Sequence, residues 1–518
     1  MLDLLQEKYE VLLDKCFKHP WITLSTGVVS VVVGCILFST LPQRLMPIAE
    51  RNQFAVEFYL PKGTAIEQTA AVANKLEGIM KKDKRVVSIT SFVGEGSPRF
   101  HTTYAPNMPG SNYAQYIVNT VSSEATVELL DELTDKYSNY FPNTYVRFKQ
   151  LDNSDARSPI EVRLSGDSLK DLNKAGEKVL LTLRNIEGLS MVRPNFEEQT
   201  PGAMIQINND EANRLGITKS LVAANMAMRF GSGIPLTTLW DGDYPMQVKL
   251  KAERKTDPNF EDLGNEYVQS IVPGISVPLR QIAKIVPDWT EGQIVRRNGV
   301  RTLSINADVK RGVNTTAMTT KVEKKLENIS LPKGVTLSMG GQKESDGEAL
   351  PQIIGALLIA IVIIFFILLF HFRKINLALL ILVSMTLTVF GAAVGVLIMG
   401  QDVSMTGILG IVSLMGILVR NGIIMLDYAE ELRNKHKYPV YEAAIEAGKR
   451  RMRPIFLTSA AASMGVIPMI ISKNPLWGPM GTVICFGTLI SMVLVVTVLP
   501  VAYWILFRGN NKGIVSPE

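Results

Sequence analysis

The sequence predicts a polytopic α-helical membrane protein: six transmembrane helices, one plus five, around a large α+β region of βαβ-type subdomains with an insert. Of 518 residues, 47% are hydrophobic and 20% charged. Mean hydropathy is +0.17, too apolar for an ordinary soluble chain of this length. The apolar residues are also unevenly spread. They gather in long uncharged stretches towards the two ends, separated by a polar segment of roughly 300 residues.

The stretches long enough to cross a bilayer run from Pro20 to Gln43, Ala349 to Phe370, Ile375 to Gln401, Pro454 to Ser472 and Asn474 to Phe507. A sixth, Val403 to Leu426, is interrupted only by Arg420. The first follows Lys8, Lys15 and Lys18 as a signal peptide would, but its uncharged run is about twice a usual h-region. No Ala-x-Ala-like site follows before Pro42 and Arg44, so it is read as a retained anchor.

Orientation comes from the short connections. Lys8, Lys15 and Lys18, Arg373 and Lys374, the stretch from Arg433 to Arg453, and Arg508 and Lys512 all fall on one side of six alternating spans. That side is the cytoplasm, with both termini there and the large region outside. The net charge of +6 is accounted for by this topology, so no nucleic-acid partner is expected. Cys16, Cys35 and Cys485 all lie outside the large polar region, which therefore carries no disulfides.

Within that region three stretches share the order strand, Gly-containing turn, amphipathic helix, strand. They open with FAVEFYL at 54–60, IEVRLSG at 160–166 and TLSINADV at 302–309. Such units predict split βαβ subdomains with helices on one face of a mixed sheet, and YVRFKQL at 145–151 completes the first. Residues 204–288 break the rhythm and read as an insert, with a long hairpin in FGSGIPLTTLWDGDYPMQVKLK. The expected division is 1–48 for the N-terminal segment and first span, 49–203 for the first module and the start of the second, 204–288 for the insert, 289–345 for the remainder, 346–508 for the other five spans and 509–518 for a tail.

Enzyme chemistry is not indicated. There is no G-x-x-x-x-G-K-[ST], and GEG at 94–96 is a lone glycine pattern in a turn. His19, His101, His371 and His436 are scattered without metal-ligand spacing, and most of the 21 methionines fall in apolar spans or on amphipathic faces, so neither metal nor cofactor is expected. Transport is the remaining reading. Ion-driven transport needs titratable groups inside the membrane, yet no Asp or Glu lies inside the six stretches. Asp402 and Asp427 only border the fourth, and Glu344, Asp346 and Glu348 precede the second.

Arg420 is the exception. An unpaired Arg near a membrane helix centre costs about +2.5 to +3.5 kcal/mol on insertion scales. Ser413, Gly416, Arg420 and Asp427 form a narrow polar stripe suited to a helix–helix contact. The helical neighbours of Arg420 are Gly416, Ile417, Ile423 and Ile424, so its own helix offers no carboxylate. Two readings stand: snorkelling to the interface from about 25 Å along the helix, or an ion pair with a carboxylate this chain does not supply.

The motifs KHPWITL, LPKGT, VGEGSPRF, NYAQ, EANRLGI, DVSMTGILGIVSLMGILVRNGIIMLDYAEELR and RRMRPIFLTSAAASMGVIPMII together resemble, over nearly the whole chain, the C-terminal half of a resistance-nodulation-division (RND) efflux pump of the multidrug type. The resemblance implies porter subdomains in the periplasm, a docking insert and an inner-membrane location. It also implies proton-driven export of amphiphilic compounds in a trimer with a periplasmic adaptor and an outer-membrane channel. Arg420 matches a position commonly held by lysine, next to Asn421, that pairs with two aspartates on a helix of the N-terminal half. Thr458 and Arg451 match a hydroxyl and an arginine of the same proton relay. Arg in place of Lys is a departure, since it holds its charge more firmly and can bind both carboxylates. Phe92, Phe100 and Tyr104 fit a substrate cleft or a plain aromatic core, and no substrate residue is assigned. The competing readings are a non-catalytic scaffold or truncated fragment, a protein-export or lipid-transport accessory, and a heavy-metal exporter.

Overall fold

The computed structural model describes residues 2–196, 199–231, 233–253 and 262–508, with side chains from Gln6 onward. The tail expected at 509–518 lies outside the described residues. The chain divides into two compact units, one of Met1–Asn195 with Val295–Glu518 and one of Phe196–Ile294.

The first unit opens with helix α1 (Leu2–Lys18), which the sequence reading treated only as a basic flank. Tyr9, Leu13 and Phe17, four apart and all buried, give it one apolar face, and Tyr9 Oη donates to the carbonyl of Val496 at 2.9 Å. Pro20 at its first turn starts α2 (Pro20–Thr40).

Module one follows as β1 (Gln53–Tyr59), α3 (Ile66–Met80), β2 (Val86–Val93), β3 (Tyr113–Thr120), α4 (Ser123–Tyr137) and β4 (Tyr145–Gln150). Its sheet runs β2-β3-β1-β4 with every pair antiparallel. Alternation places Phe54, Val56 and Phe58 of β1 against Leu76 and Met80 of α3 and Leu129 and Leu130 of α4, while Ala55 and Glu57 face the other way.

Module two begins with β5 (Ile160–Ser165), α5 (Leu169–Arg184) and β6 (Leu189–Pro194). The chain then leaves for the second unit. There β7 (Thr200–Ile207) leads to α6 (Asn209–Arg214) and α7 (Lys219–Arg229), then to the hairpin of β8 (Ile234–Asp241) and β9 (Tyr244–Leu250). After α8 (Asp262–Asn265), β10 (Tyr267–Gln269), β11 (Ser276–Pro278) and α9 (Leu279–Ile282), β12 (Ala283–Thr290) returns along β7. Ala212, Ile217, Val222, Val268, Leu279 and Ile282 form this unit's small core. The hairpin expected from the sequence is present, closed by Gly242 and Asp243 with Gly242 at φ +60°.

Back in the first unit, β13 (Arg296–Arg297), β14 (Val300–Val309), α10 (Thr315–Leu326) and β15 (Thr336–Gly341) complete module two. The sheet order is β13-β14-β5-β15, with β6 also on β14. Here the structure corrects the expectation of mixed sheets: all named pairs are antiparallel. The second and third strand–helix–strand stretches do not stand apart but interleave. β5 and β6 run the same way with β14 between them, and β14 and β15 flank β5, so each βαβ unit is split by a strand of the other.

The remaining helices are α11 (Gln342–Phe372), α12 (Ile375–Met385), α13 (Thr388–Met399), α14 (Met405–Asn434), α15 (Val440–Ile471) and α16 (Gly478–Phe507). Among the described residues six helical segments are long and apolar enough to cross a membrane: Pro20–Thr40, then Gln342–Phe372, Ile375–Met399, Met405–Asn434, Val440–Ile471 and Gly478–Phe507. α16 is the most enclosed, packed by α13, α14 and α15. Small residues allow the close approaches: a Cβ on Gly34 would lie 2.7 Å from the backbone of Phe390.

Strand β15 runs into α11 without a loop. The hinge residue Gly341 has φ +69°, and a Cβ there would lie 2.7 Å from the carbonyl of Pro159. Arg163 of β5 grips the first turn of α11 through Glu344, Nη2 to Oε2 at 2.7 Å.

Candidate functional site

The polar stripe of α14 is the most informative surface of the helical bundle. Ser413, Gly416, Arg420 and Asp427 all lie on a face that the rest of the chain leaves uncovered. A Cβ on Gly416 would meet nothing within 4 Å. Leu414, Leu418, Met425 and Leu426, on the other side, are buried in the bundle. Ser404 caps the helix by accepting from the amide of Gly407 at 3.1 Å. Arg420 has no hydrogen-bond or ion-pair partner among the described residues. Asp427, further along the same face, has His371 Nε2 at 3.5 Å.

Asn421, one residue on, turns into the protein. It is fully buried, and Nδ2 donates to Ser459 Oγ of α15 at 3.3 Å. Its Oδ1 is buried with no partner. Thr458 is half-buried, and its hydroxyl donates back to the carbonyl of Ile455 at 3.1 Å, a bond that leaves the oxygen's acceptor capacity free. Arg451 lies over the ring of Tyr428, 4.4 Å from the centroid, with Nε buried and unpaired.

The four residues singled out from the sequence thus sit on the facing helices α14 and α15, but no hydrogen bond or ion pair joins any two of them. Arg451 lies within α15, because that helix begins at Val440 rather than near Pro454. The stretch taken as a basic loop is therefore helical except at 435–439.

Sequence reasoning missed two groups. Ser459 is the side chain that fixes Asn421, and only the facing of two helices reveals it. Glu430 is the other: α14 continues to Asn434 and buries this carboxylate, 8% exposed, three residues beyond Asp427. Glu430 Oε1 accepts from Tyr503 Oη at 2.8 Å, and Oε2 accepts from Asn434 Nδ2 at 3.3 Å and from Lys374 Nζ. It ties the start of α12 and the end of α16 to α14. The motif DYAEELR carried the signal, since helical spacing brings Glu430 back towards the face of Leu426.

Similarity to known proteins identifies the family and the fold. The profile of the AcrB/AcrD/AcrF family matches residues 1–507. The swarming motility protein SwrC of Bacillus subtilis is 24% identical over 97% of this chain and 47% of its own length. The cobalt-zinc-cadmium resistance protein CzcA of Cupriavidus metallidurans is 25% identical, covering 98% of this chain and 49% of the relative. A crystal structure of a heavy metal efflux pump superposes with a TM-score of 0.81 at 20% identity, over 98% of this chain and 52% of that one, a likeness of fold. The chain spans about half the length of the curated relatives it matches. The resemblance read from the motifs is borne out: the chain belongs to the AcrB/AcrD/AcrF family of RND pumps.

Proposed function

We propose that this chain supplies the C-terminal half of a proton-driven RND exporter of amphiphilic compounds. A second half, carried by a partner chain or by a longer polypeptide, would bring an intramembrane Asp pair against the Arg420 face of α14. The observation that carries this is the uncovered stripe itself: a charged side chain within an apolar helix, without a partner among the described residues, beside a glycine that leaves room for a close helix.

The chemistry follows from the residues. A guanidinium stays protonated at physiological pH, so Arg420 does not carry the proton. It compensates a carboxylate pair when that pair is ionised and must shift or lose a bond when a proton arrives. Asn421, held to Ser459, gives the backbone beside Arg420 a fixed anchor. Thr458 offers a hydroxyl on the next helix, and Arg451 a cation about two turns earlier on it. In this reading the α/β modules stand in the periplasm, both termini are cytoplasmic, and the inner-membrane protein works in a trimer with an adaptor and an outer-membrane channel.

A second reading, heavy-metal cations as cargo, is favoured by the relative named for cobalt, zinc and cadmium resistance and by the solved heavy metal efflux pump. Transport assays with metal salts and with amphiphilic dyes separate the two. The half-pump reading is tested by co-purifying tagged chain from native membranes and sequencing what accompanies it. An intramembrane Asp pair on an equimolar partner, or on a longer polypeptide that contains this chain, supports it, and a purified assembly without such a pair overturns it.

A further inference from the structure

Away from the bundle, charged side chains are buried where modules one and two meet. Strand register sets Gln115, Glu57 and Arg147 side by side across β3, β1 and β4, on the sheet face turned from α3 and α4. Glu57 and Arg147 are 3% and 7% exposed. Arg147 Nη1 donates to Glu57 Oε2 at 3.2 Å, while Nε and Nη2 donate to the two oxygens of Asp308 in β14 at 2.6 and 2.5 Å. One guanidinium is therefore shared between a carboxylate of its own module and a carboxylate of the other. Tyr59 Oη at 2.8 Å and Tyr104 Oη also donate to Glu57. Burial alone would push the Glu57 carboxyl up, but Arg147, Lys149 and the two phenols outweigh it and hold the group at about 2.

The rest of this seam is also polar. Arg193 of β6 stacks on Tyr59 of β1, 3.3 Å from the ring centroid. Arg184 Nη2 donates to Tyr145 Oη at 3.4 Å, and Arg311 Nε pairs with Asp131 Oδ1 at 2.5 Å. By contrast, the buried apolar residues on this sheet face, Ala55 with Ala49, Tyr104 and Leu151, form a small cluster that belongs to module one and its flank. Such a seam parts without exposing a continuous apolar core.

Breaking a buried ion pair usually leaves one charge uncompensated, which opposes separation strongly. Arg147 escapes that, because Glu57 stays with it when Asp308 leaves. Asp308, with a side chain 20% exposed, already has access to water. We propose that Arg147 is a two-position latch: bound to both carboxylates when the modules are closed, and keeping Glu57 as its one carboxylate when they part, with the Arg157 carbonyl as a further acceptor at 3.2 Å. The transport reading supplies the occasion for such parting, whereas the test reads module separation directly and so fails or succeeds independently of transport.

The test uses the full chain in lipid nanodiscs, with Cys16, Cys35 and Cys485 replaced by alanine. Spin labels are placed at Val87→Cys on β2 and Leu181→Cys on α5, both exposed and outside the seam. Double electron–electron resonance should give one narrow separation, and Asp308→Asn should add a longer-distance population at least threefold above the unsubstituted chain. Asp308→Glu should restore the narrow distribution, and Glu57→Gln, which leaves Arg147 with Asp308 as its one carboxylate, should not lengthen it. A distance distribution unchanged in Asp308→Asn overturns the latch. So does broadening of equal size in Asp308→Glu or Glu57→Gln.

Discussion

Asn421 Nδ2 and Ser459 Oγ lie 3.3 Å apart in the packed contact of α14 with α15, while Arg420, the next residue along the chain, faces away from it. The rotation of about 100° per residue makes the two neighbours serve opposite faces of one helix, one structural and one open to a partner. The contact is expected to add about 0.6 kcal/mol of coupling, the usual scale between membrane helices. A double-mutant cycle of Asn421→Ala and Ser459→Ala, followed by thermal unfolding in detergent, measures it, and a coupling near zero would make the pair incidental.

Arg420→Ala should abolish export while leaving membrane insertion and protein level unchanged. Arg420→Lys should retain partial export, because the charge persists but the two-pronged geometry does not. Efflux of a fluorescent amphiphile from energised cells reads both, and undiminished efflux in the alanine variant would remove the relay role.

Glu430→Gln should loosen the end of the bundle where α12, α14 and α16 meet. Loss of a fully buried ion-pair partner costs about 3–5 kcal/mol. Because the Lys374 side chain is 40% exposed, about 2 kcal/mol is the reasonable expectation here. Replacing Lys374 as well, with Met at both positions, should recover most of that loss in melting temperature.

Module one should carry a stability term set by Glu57. Its folded carboxyl sits at about 2, below the ordinary 4.5, so the contribution is complete above about pH 4.5 and disappears as pH falls towards 2. Asp152, whose carboxyl burial pushes up, works in the opposite sense, so the useful comparison is Glu57→Gln against the unsubstituted chain. Near-ultraviolet tyrosine dichroism of melting from pH 7 to pH 3 should show a flatter acid limb in the variant.

The apolar spans and the hairpin were legible because each is a local pattern. Glu430 was not, since a search for apolar runs stops at Leu426 while the helix continues to Asn434. The spacing of Tyr9, Leu13 and Phe17 already described a helix, but the lysines around them drew attention to topology instead. Neither β3 nor α4 stood out, although NYAQYIVNT alternates and Ser122 is a good cap, accepting from the amide of Ala125 at 3.2 Å. Interleaving of the strands was beyond sequence pattern altogether: Ile305 pairs with Val162 across more than a hundred residues, and no local signal encodes that choice. Arg420 was the easiest residue to find, because it breaks the rule its helix otherwise obeys.

Gly341 leaves no slack between β15 and α11, and the Arg163–Glu344 pair clamps the joint from the side. Sheet and helix therefore form one stiff member, a push rod whose helical part, 31 residues, is about 46 Å long. A displacement of module two along β15 is passed directly to the first turns of α11, as far as Pro351, where one helix hydrogen bond is missing. A flexible linker inserted between Gly341 and Gln342 would turn that rod into a rope, able to pull and unable to push.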